Sequence, residues 1–216
     1  YQLDLLASHD LSTRQHSENV ANLTYRLCEY LHCNSHFMFY ATTCAFLHDI
    51  GKLFIPLEIL AKPGALTEEE FKIMKNHTTL GYELCYKDLD LRPYGDGALY
   101  HHEALNGQGY PQGLTKKDIP FEAQIIRVAD EYDALVNKRQ YKSHIGISDA
   151  LKIIIERTKP TPEAPAHTGY TRAGKNNKKI VKKEAMILLV FIRSLLIRCT
   201  YSTCILCHMM NKNTAL

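Results

Sequence analysis

The sequence predicts an all-α fold: a helical bundle followed by a loop-rich, basic C-terminal extension. Three observations predict it. Apolar residues in 1–160 recur at spacings of three and four, and no segment there alternates as a strand. From Pro160 onward the pattern stops: Pro160, Pro162, Pro165, Gly169 and Gly174 break regular structure before a basic run over 175–183. The expected organisation is one domain over 1–159 and a tail over 160–216.

Val20, Leu23, Leu27 and Leu31 mark a first helix over 11–31, and His16 lies four residues before Val20 on the same stripe. A second, apolar helix is expected over 37–50, through Ala41, Cys44, Ala45 and Leu47. Pro63-Gly64 marks a turn, and Thr67 followed by Glu70 reads as a capping box opening a third helix. On it Phe71, Met74, His77 and Gly81 share one face. A short helix over 98–103 leads into a loop over 106–113 with three glycines and one proline. Pro120 opens a helix over 121–136, and the last one spans 148–157.

Composition narrows the class. With 45% hydrophobic and 23% charged residues in 216, the chain is neither wholly disordered nor collagen-like, and it is long enough to bury a core. Seven cysteines at scattered spacings form no disulfide framework and point to a reducing compartment, so a cytoplasmic location is expected. The start at Tyr1, with no basic-then-apolar leader, reads as a piece of a longer chain. The longest apolar run, over 185–197, contains Arg193 and falls short of the roughly 20 residues a bilayer span needs. Residues 1–160 carry 17 Lys+Arg against 21 Asp+Glu, and 161–216 carry 9 against 2. The net charge of +3 therefore belongs to the tail, and no DNA partner is expected.

Ionisable residues stand on inner faces. His48-Asp49 ends the second helix with Gly51-Lys52 after it, His77 lies on the third, and His101-His102 precede the glycine-rich loop. Asp130 lies on the inner side of the 121–136 helix. Burying so many ionisable groups unpartnered costs several kcal/mol each, whereas imidazole and carboxylate are ligands for divalent transition metals. Each has a plainer reading as well. His16 alone reads as a hydrogen-bonded core histidine, His77 after a lysine as a surface residue, and His101-His102 as a solvated helix end.

Together these segments resemble the HD-GYP group of the metal-dependent HD phosphohydrolases, over about residues 5–157. The resemblance rests on His48-Asp49-Ile50-Gly51-Lys52 with Ile55-Pro56, Lys75-Asn76-His77 with Gly81, and His101-His102-Glu103. It continues through Asn106-Gly107-Gln108-Gly109-Tyr110-Pro111, Ile119-Pro120, and Arg127-Val128-Ala129-Asp130 with Tyr132-Asp133-Ala134-Leu135. It implies an HD-type helical bundle and a phosphodiesterase for cyclic di-GMP, a bacterial second messenger. The linear dinucleotide pGpG would be the first product, with further cleavage to GMP left open.

By the same resemblance the metal ligands are His16, His48, Asp49, His77, His101, His102 and Asp130, with Asp49 bridging two ions. A glutamate four residues before the first ligand histidine marks members with a third metal. Ser12 stands there, so two divalent ions are expected, Fe or Mn ahead of Zn or Mg. Such a pair would activate water for in-line attack on phosphorus. Lys52 would neutralise charge developing on the phosphoryl group; its plainer reading is a solvated lysine at a helix C-terminus. Arg139 and Lys142 match basic residues near the second phosphate or guanine, and Asp10 aligns with a substrate contact. Tyr110 reads as a substrate contact, as a partner-recognition residue or as part of a structural loop.

Two departures bear on function. Asn106 stands where many members have aspartate, a mild change because both cap turns. Residues 160–216 do not match the helices that complete the family's bundle. The 185–197 stretch reads as a substitute helix, a homodimer contact or a membrane-surface segment beside the basic run, and an unstructured end is the remaining reading. Cys204, Cys207 and His208 fit a haem-attachment pattern without any export signal to support it. An upstream sensor or receiver domain is a further expectation. The alternatives to the enzyme are a cyclic di-GMP receptor or protein-interaction scaffold without turnover, motivated by the unmatched C-terminus, and a hydrolase of mononucleotides.

Overall fold

Helix α1 (Leu11–Tyr30) forms over the first apolar stripe and turns His16, Val20, Thr24 and Leu27 inward. It ends one residue short of expectation. His32 adopts φ 54°, the His32 N–H donates to Glu29 O at 3.1 Å and the Cys33 N–H to Cys28 O at 3.0 Å, a left-handed cap that stops the helix. Leu31 is exposed as a result, and Leu23 is only half-buried. Asn34 then caps helix α2 (Ser35–Leu47), its Oδ1 accepting from the Phe37 N–H at 2.8 Å. The α-helix stops at Leu47 rather than reaching Ile50, and a 3₁₀ turn, Ile50–Phe54, follows. His48 and Asp49 sit at that junction.

The structure, a computed structural model, describes residues 11–137 and 146–157. All lie in the first of the chain's two units, Tyr1–Thr161. Asp10, Arg139, Lys142 and the tail over 160–216, with its Cys204, Cys207 and His208, fall outside the described residues.

After a short helix α3 (Leu57–Leu60), the expected third helix proves to be two. Thr67 and Glu70 make the capping box: the Glu70 N–H donates to Thr67 Oγ1 at 3.2 Å and the Thr67 N–H to Glu70 Oε2 at 2.7 Å. Helix α4 (Glu68–Lys75) follows, Asn76 ends it, and α5 (His77–Lys87) begins at the next residue. The Asn76 N–H reaches back three residues to Ile73 O at 3.0 Å, tightening the turn and interrupting the register. The shared face is therefore lost: α4 buries none of its residues and Phe71 is 45% exposed, while His77 and Gly81 of α5 are buried.

Helix α6 (Gly95–Tyr100) starts and ends three residues earlier than expected, so His101 and His102 occupy the turn beyond it. Helices α7 (Phe121–Val136) and α8 (Ile147–Arg157) close the order. Helix α1 packs on α2 and α7, α2 on α6 and α7, and α5 on α6 and the 50–54 turn. Among the described residues there is no strand; a single antiparallel bridge joins Asn106 to Thr115 across the glycine-rich loop. No helix among them is long and apolar enough to cross a membrane.

The contact between α5 and the 50–54 turn is made possible by Gly51. A Cβ there would stand 1.9 Å from His77 O and 2.5 Å from Gly81 N, both backbone atoms that have nowhere to go. Glycine at 51 thus lets the segment carrying Asp49 press against the helix carrying His77.

Candidate metal centre

Asp49 lies at the middle of the ionisable cluster and is 1% exposed. Its two oxygens face different partners. Oδ2 lies 2.5 Å from Lys52 Nζ, 3.3 Å from His48 Nε2 and 3.7 Å from His16 Nε2. Oδ1 lies 3.4 Å from His77 Nε2 and 3.9 Å from His101 Nε2, and has no hydrogen-bond partner. Burial pushes the Asp49 carboxyl up, but the charge of Lys52, the largest opposing influence, helps hold the group well below the usual carboxylate range.

Three histidines are held from behind by the helix turns that carry them. Nδ1 of His48 stands 2.6 Å from Ala45 O, Nδ1 of His77 2.7 Å from Met74 O, and Nδ1 of His101 2.9 Å from Ala98 O. A carbonyl oxygen only accepts, so each Nδ1 carries the proton and each Nε2 presents a lone pair. Those lone pairs converge: His77 Nε2 and His101 Nε2 are 3.3 Å apart, and His48 Nε2 is buried with no partner. Facing lone pairs repel one another and leave buried acceptors unsatisfied. A divalent cation among them removes both costs, and fixing a ligand ring through its other nitrogen is the usual support of such a site.

Charge state agrees with this donor set. Burial lowers His77 to about 4 and His102 to about 3, in each case against the pull of nearby carboxylates, and holds His101 well below its ordinary value. All three are neutral near pH 7, the form that ligates metals.

His16 is different. Its Nδ1 lies 2.6 Å from Asp133 Oδ2 and its Nε2 2.9 Å from Asp130 Oδ1. Burial lowers its pKa, but the bonds to Asp130 and Asp133 and the Asp49 charge outweigh that and raise it to about 9. Asp130 is in turn held far below the ordinary carboxylate value, burial notwithstanding, first by the His16 hydrogen bond, with the His16 charge adding to it.

Every sequence-derived ligand candidate thus falls in one interior cluster drawn from α1, the α2 junction, α5, the turn after α6, and α7. His102 is the most open, with a side chain 26% exposed, its Nδ1 3.9 Å from Asp130 Oδ2 and its ring stacked on Tyr110 at 4.7 Å. His77 and His101 are buried rather than surface or solvated, and Lys52 is 14% exposed and ion-paired rather than free at a helix end. Sequence reasoning gave no role to Asp133, which orients His16. It stands three residues after Asp130 on α7, so helical spacing alone puts both on one face. Arg127 was likewise not singled out as functional: its Nη1 donates to His102 O at 2.9 Å and Glu103 O at 3.1 Å, and its Nη2 to Glu131 Oε1 at 2.8 Å.

A pH dependence of stability follows for chelator-treated protein. Between pH 6.5 and about 4 the unfolded chain protonates His77 while the folded one does not, and His102 behaves alike. The unfolded state then binds more protons, so stability falls as pH drops, by about 1.4 kcal/mol per pH unit for each group in that window. His16, protonated in both states below pH 6.5, leaves this slope unchanged. The urea midpoint should decline from pH 6.5 to pH 5; a flat or rising midpoint would contradict the neutral histidine cluster.

Helical scaffold and buried histidine–aspartate cluster together define a protein built to hold divalent metal. Residues 1–160 match the family described as HD domain, and the chain belongs to that family. It is 41% identical over 155 residues to a cyclic di-GMP phosphodiesterase of Thermotoga maritima, covering 70% of this chain and 42% of the relative. It is 48% identical over 98 residues to the cyclic di-GMP phosphodiesterase response regulator RpfG of Xanthomonas campestris, covering 44% and 26%. The chain thus spans less than half the length of either relative. The HD domain of the L. monocytogenes phosphodiesterase PgpH in complex with cyclic-di-AMP shares the fold, with a TM-score of 0.56 at 20% identity over 88% of this chain and 94% of that one. The resemblance to the HD-GYP group is borne out by these relatives. Membership implies divalent-metal binding, and two groups have ligand atoms within 4.8 Å of one another: His16, His48 and Asp49, and His77, His101 and His102.

Proposed function

We propose that the chain is a metal-dependent phosphodiesterase that hydrolyses cyclic di-GMP to pGpG. The observation that carries this reading is Asp49, whose two oxygens face separate histidine groups with a lysine beside them. One ion would be held by His16, His48 and Asp49 and a second by Asp49, His77, His101 and His102, with Asp130 completing the set. A nitrogen- and oxygen-only donor set suits Fe or Mn better than Mg, which prefers oxygen. When bound, such ions supply Lewis acidity toward phosphate oxygens and lower the pKa of water.

The chain's own groups do the rest. Lys52 Nζ stands at the Asp49 carboxylate, where a cation neutralises charge developing on a phosphoryl group. His16, gripped by Asp130 and Asp133, must give up its proton to serve as a ligand, so metal capture strengthens with rising pH. Burial together with the Asp49 and Asp130 charges pushes the Tyr110 phenol far up, so it stays protonated and is a hydrogen-bond donor for a substrate oxygen. Arg139, Lys142 and Asp10 are assigned to the remainder of the dinucleotide on the resemblance alone. A cytoplasmic setting and an upstream sensor or receiver domain accompany this reading, supported by the response-regulator name of the Xanthomonas relative.

The assay is reduced, anaerobically Fe- or Mn-loaded protein incubated with cyclic di-GMP and resolved by chromatography. Appearance of pGpG is expected. Tight binding of cyclic di-GMP without product would make the chain a receptor instead.

A further inference from the structure

Glu103 follows the histidine pair directly and is 1% exposed. Its carboxylate is filled from the glycine-rich loop. Oε1 accepts from the Gln112 N–H at 2.6 Å and the Gly113 N–H at 3.1 Å, and Oε2 accepts from the Leu114 N–H at 2.8 Å. Three amide donors on one buried carboxylate are charge-assisted bonds, about twice as strong as neutral ones.

The loop closes around this anchor from the other side as well. The Tyr110 N–H donates to His102 O at 3.2 Å, the carbonyl that also accepts from Arg127. Gly109 passes so near that a Cβ would lie 2.2 Å from Ala104 N and 2.5 Å from Glu103 Cα. The result is a fixed place for the Tyr110 ring: stacked on His102 with 28° between planes, and with Lys75 Nζ 5.3 Å from its centroid.

We infer that Glu103 is a positioning residue for this site, folding the 104–114 loop so that Tyr110 is held against the His102 ring. The inference deepens the proposed phosphodiesterase reading and rests on it for its effect on turnover, though not for its effect on the loop. A glutamine at 103 keeps the volume but turns an N–H₂ toward an amide donor, so at least one of the three bonds is lost. A merely space-filling Glu103 would tolerate that exchange.

The test uses the full chain with its metals loaded. In the wild type, amide hydrogen exchange at Gln112, Gly113 and Leu114 should be slowed at least tenfold relative to free-peptide rates. Glu103→Gln should accelerate exchange at those three amides by tenfold or more, with metal content unchanged. With cyclic di-GMP as probe, Glu103→Gln and Tyr110→Ala should each raise KM severalfold, and the double variant should be no worse than the more affected single one, because both act through the same ring. Free-peptide exchange in the wild type overturns the inference even if the variant fails to fold. So do unchanged exchange in Glu103→Gln and fully multiplicative effects in the double variant. Absent turnover in the wild type would instead strike the proposed function and leave the exchange result standing.

Discussion

Replacing Asp49 by alanine is expected to remove metal retention and turnover together. Asp49 lies between the two histidine groups with an oxygen toward each: Oδ1 faces His77 and His101, and Oδ2 faces His48 and His16. Without the carboxylate, the Nε2 lone pairs and the Lys52 ammonium converge on a cavity with no anion at its centre. Any cation entering there meets Lys52 at full strength, so both ions are weakened at once. Loss of a buried charge partner also threatens folding. Asp49→Asn keeps the shape and one acceptor oxygen, and serves as the companion variant. Elemental analysis and product formation should both drop to background in each variant, with helical content by circular dichroism retained in the Asn form. Full metal occupancy in a folded Asp49→Asn protein would remove Asp49 from the centre of the account.

Replacing Lys52 by alanine should separate the two readouts. Turnover is expected to fall about 10²–10³-fold, the usual loss when one fixed donor or cation is taken from a developing charge, while metal content holds. Lys52 Nζ sits 2.5 Å from Asp49 Oδ2, where a divalent cation would compete with it for the same oxygen. Removing the ammonium cannot weaken metal capture by electrostatics. Its cost in the chelated protein is different: Asp49, 1% exposed, loses its strongest neutralising neighbour, and the apo form should unfold at lower temperature. Equal loss of metal and turnover in Lys52→Ala would show that the lysine supports the site structurally rather than acting on substrate.

Much of the cluster was legible because it obeys local rules. His16 falls on the α1 stripe, the Thr67–Glu70 box opens α4 as expected, and His48-Asp49 ends an apolar helix that tertiary packing buries. The less legible features depend on contacts distant in the chain or on elements too short to show a period. The helix break at Asn76 turns on one tightened turn, and neither Asn76 nor its neighbours is a proline or glycine that would announce it. The 3₁₀ turn at 50–54 packs against α5 through the close approach at Gly51, which only the folded backbone reveals. Asp133 and His16 are 117 residues apart, and no spacing rule pairs them. Glu103 stands directly beside the histidine pair, but its three amide partners lie nine to eleven residues on, inside a loop without periodicity.

The central claim is that these side chains hold a pair of divalent cations. Elemental analysis of protein purified anaerobically, with Fe and Mn supplied during expression, reads it directly. Two metal equivalents per chain, falling when His77 or His48 is replaced, is the predicted result. A folded wild type that binds none, or whose metal content is indifferent to those replacements, would contradict it.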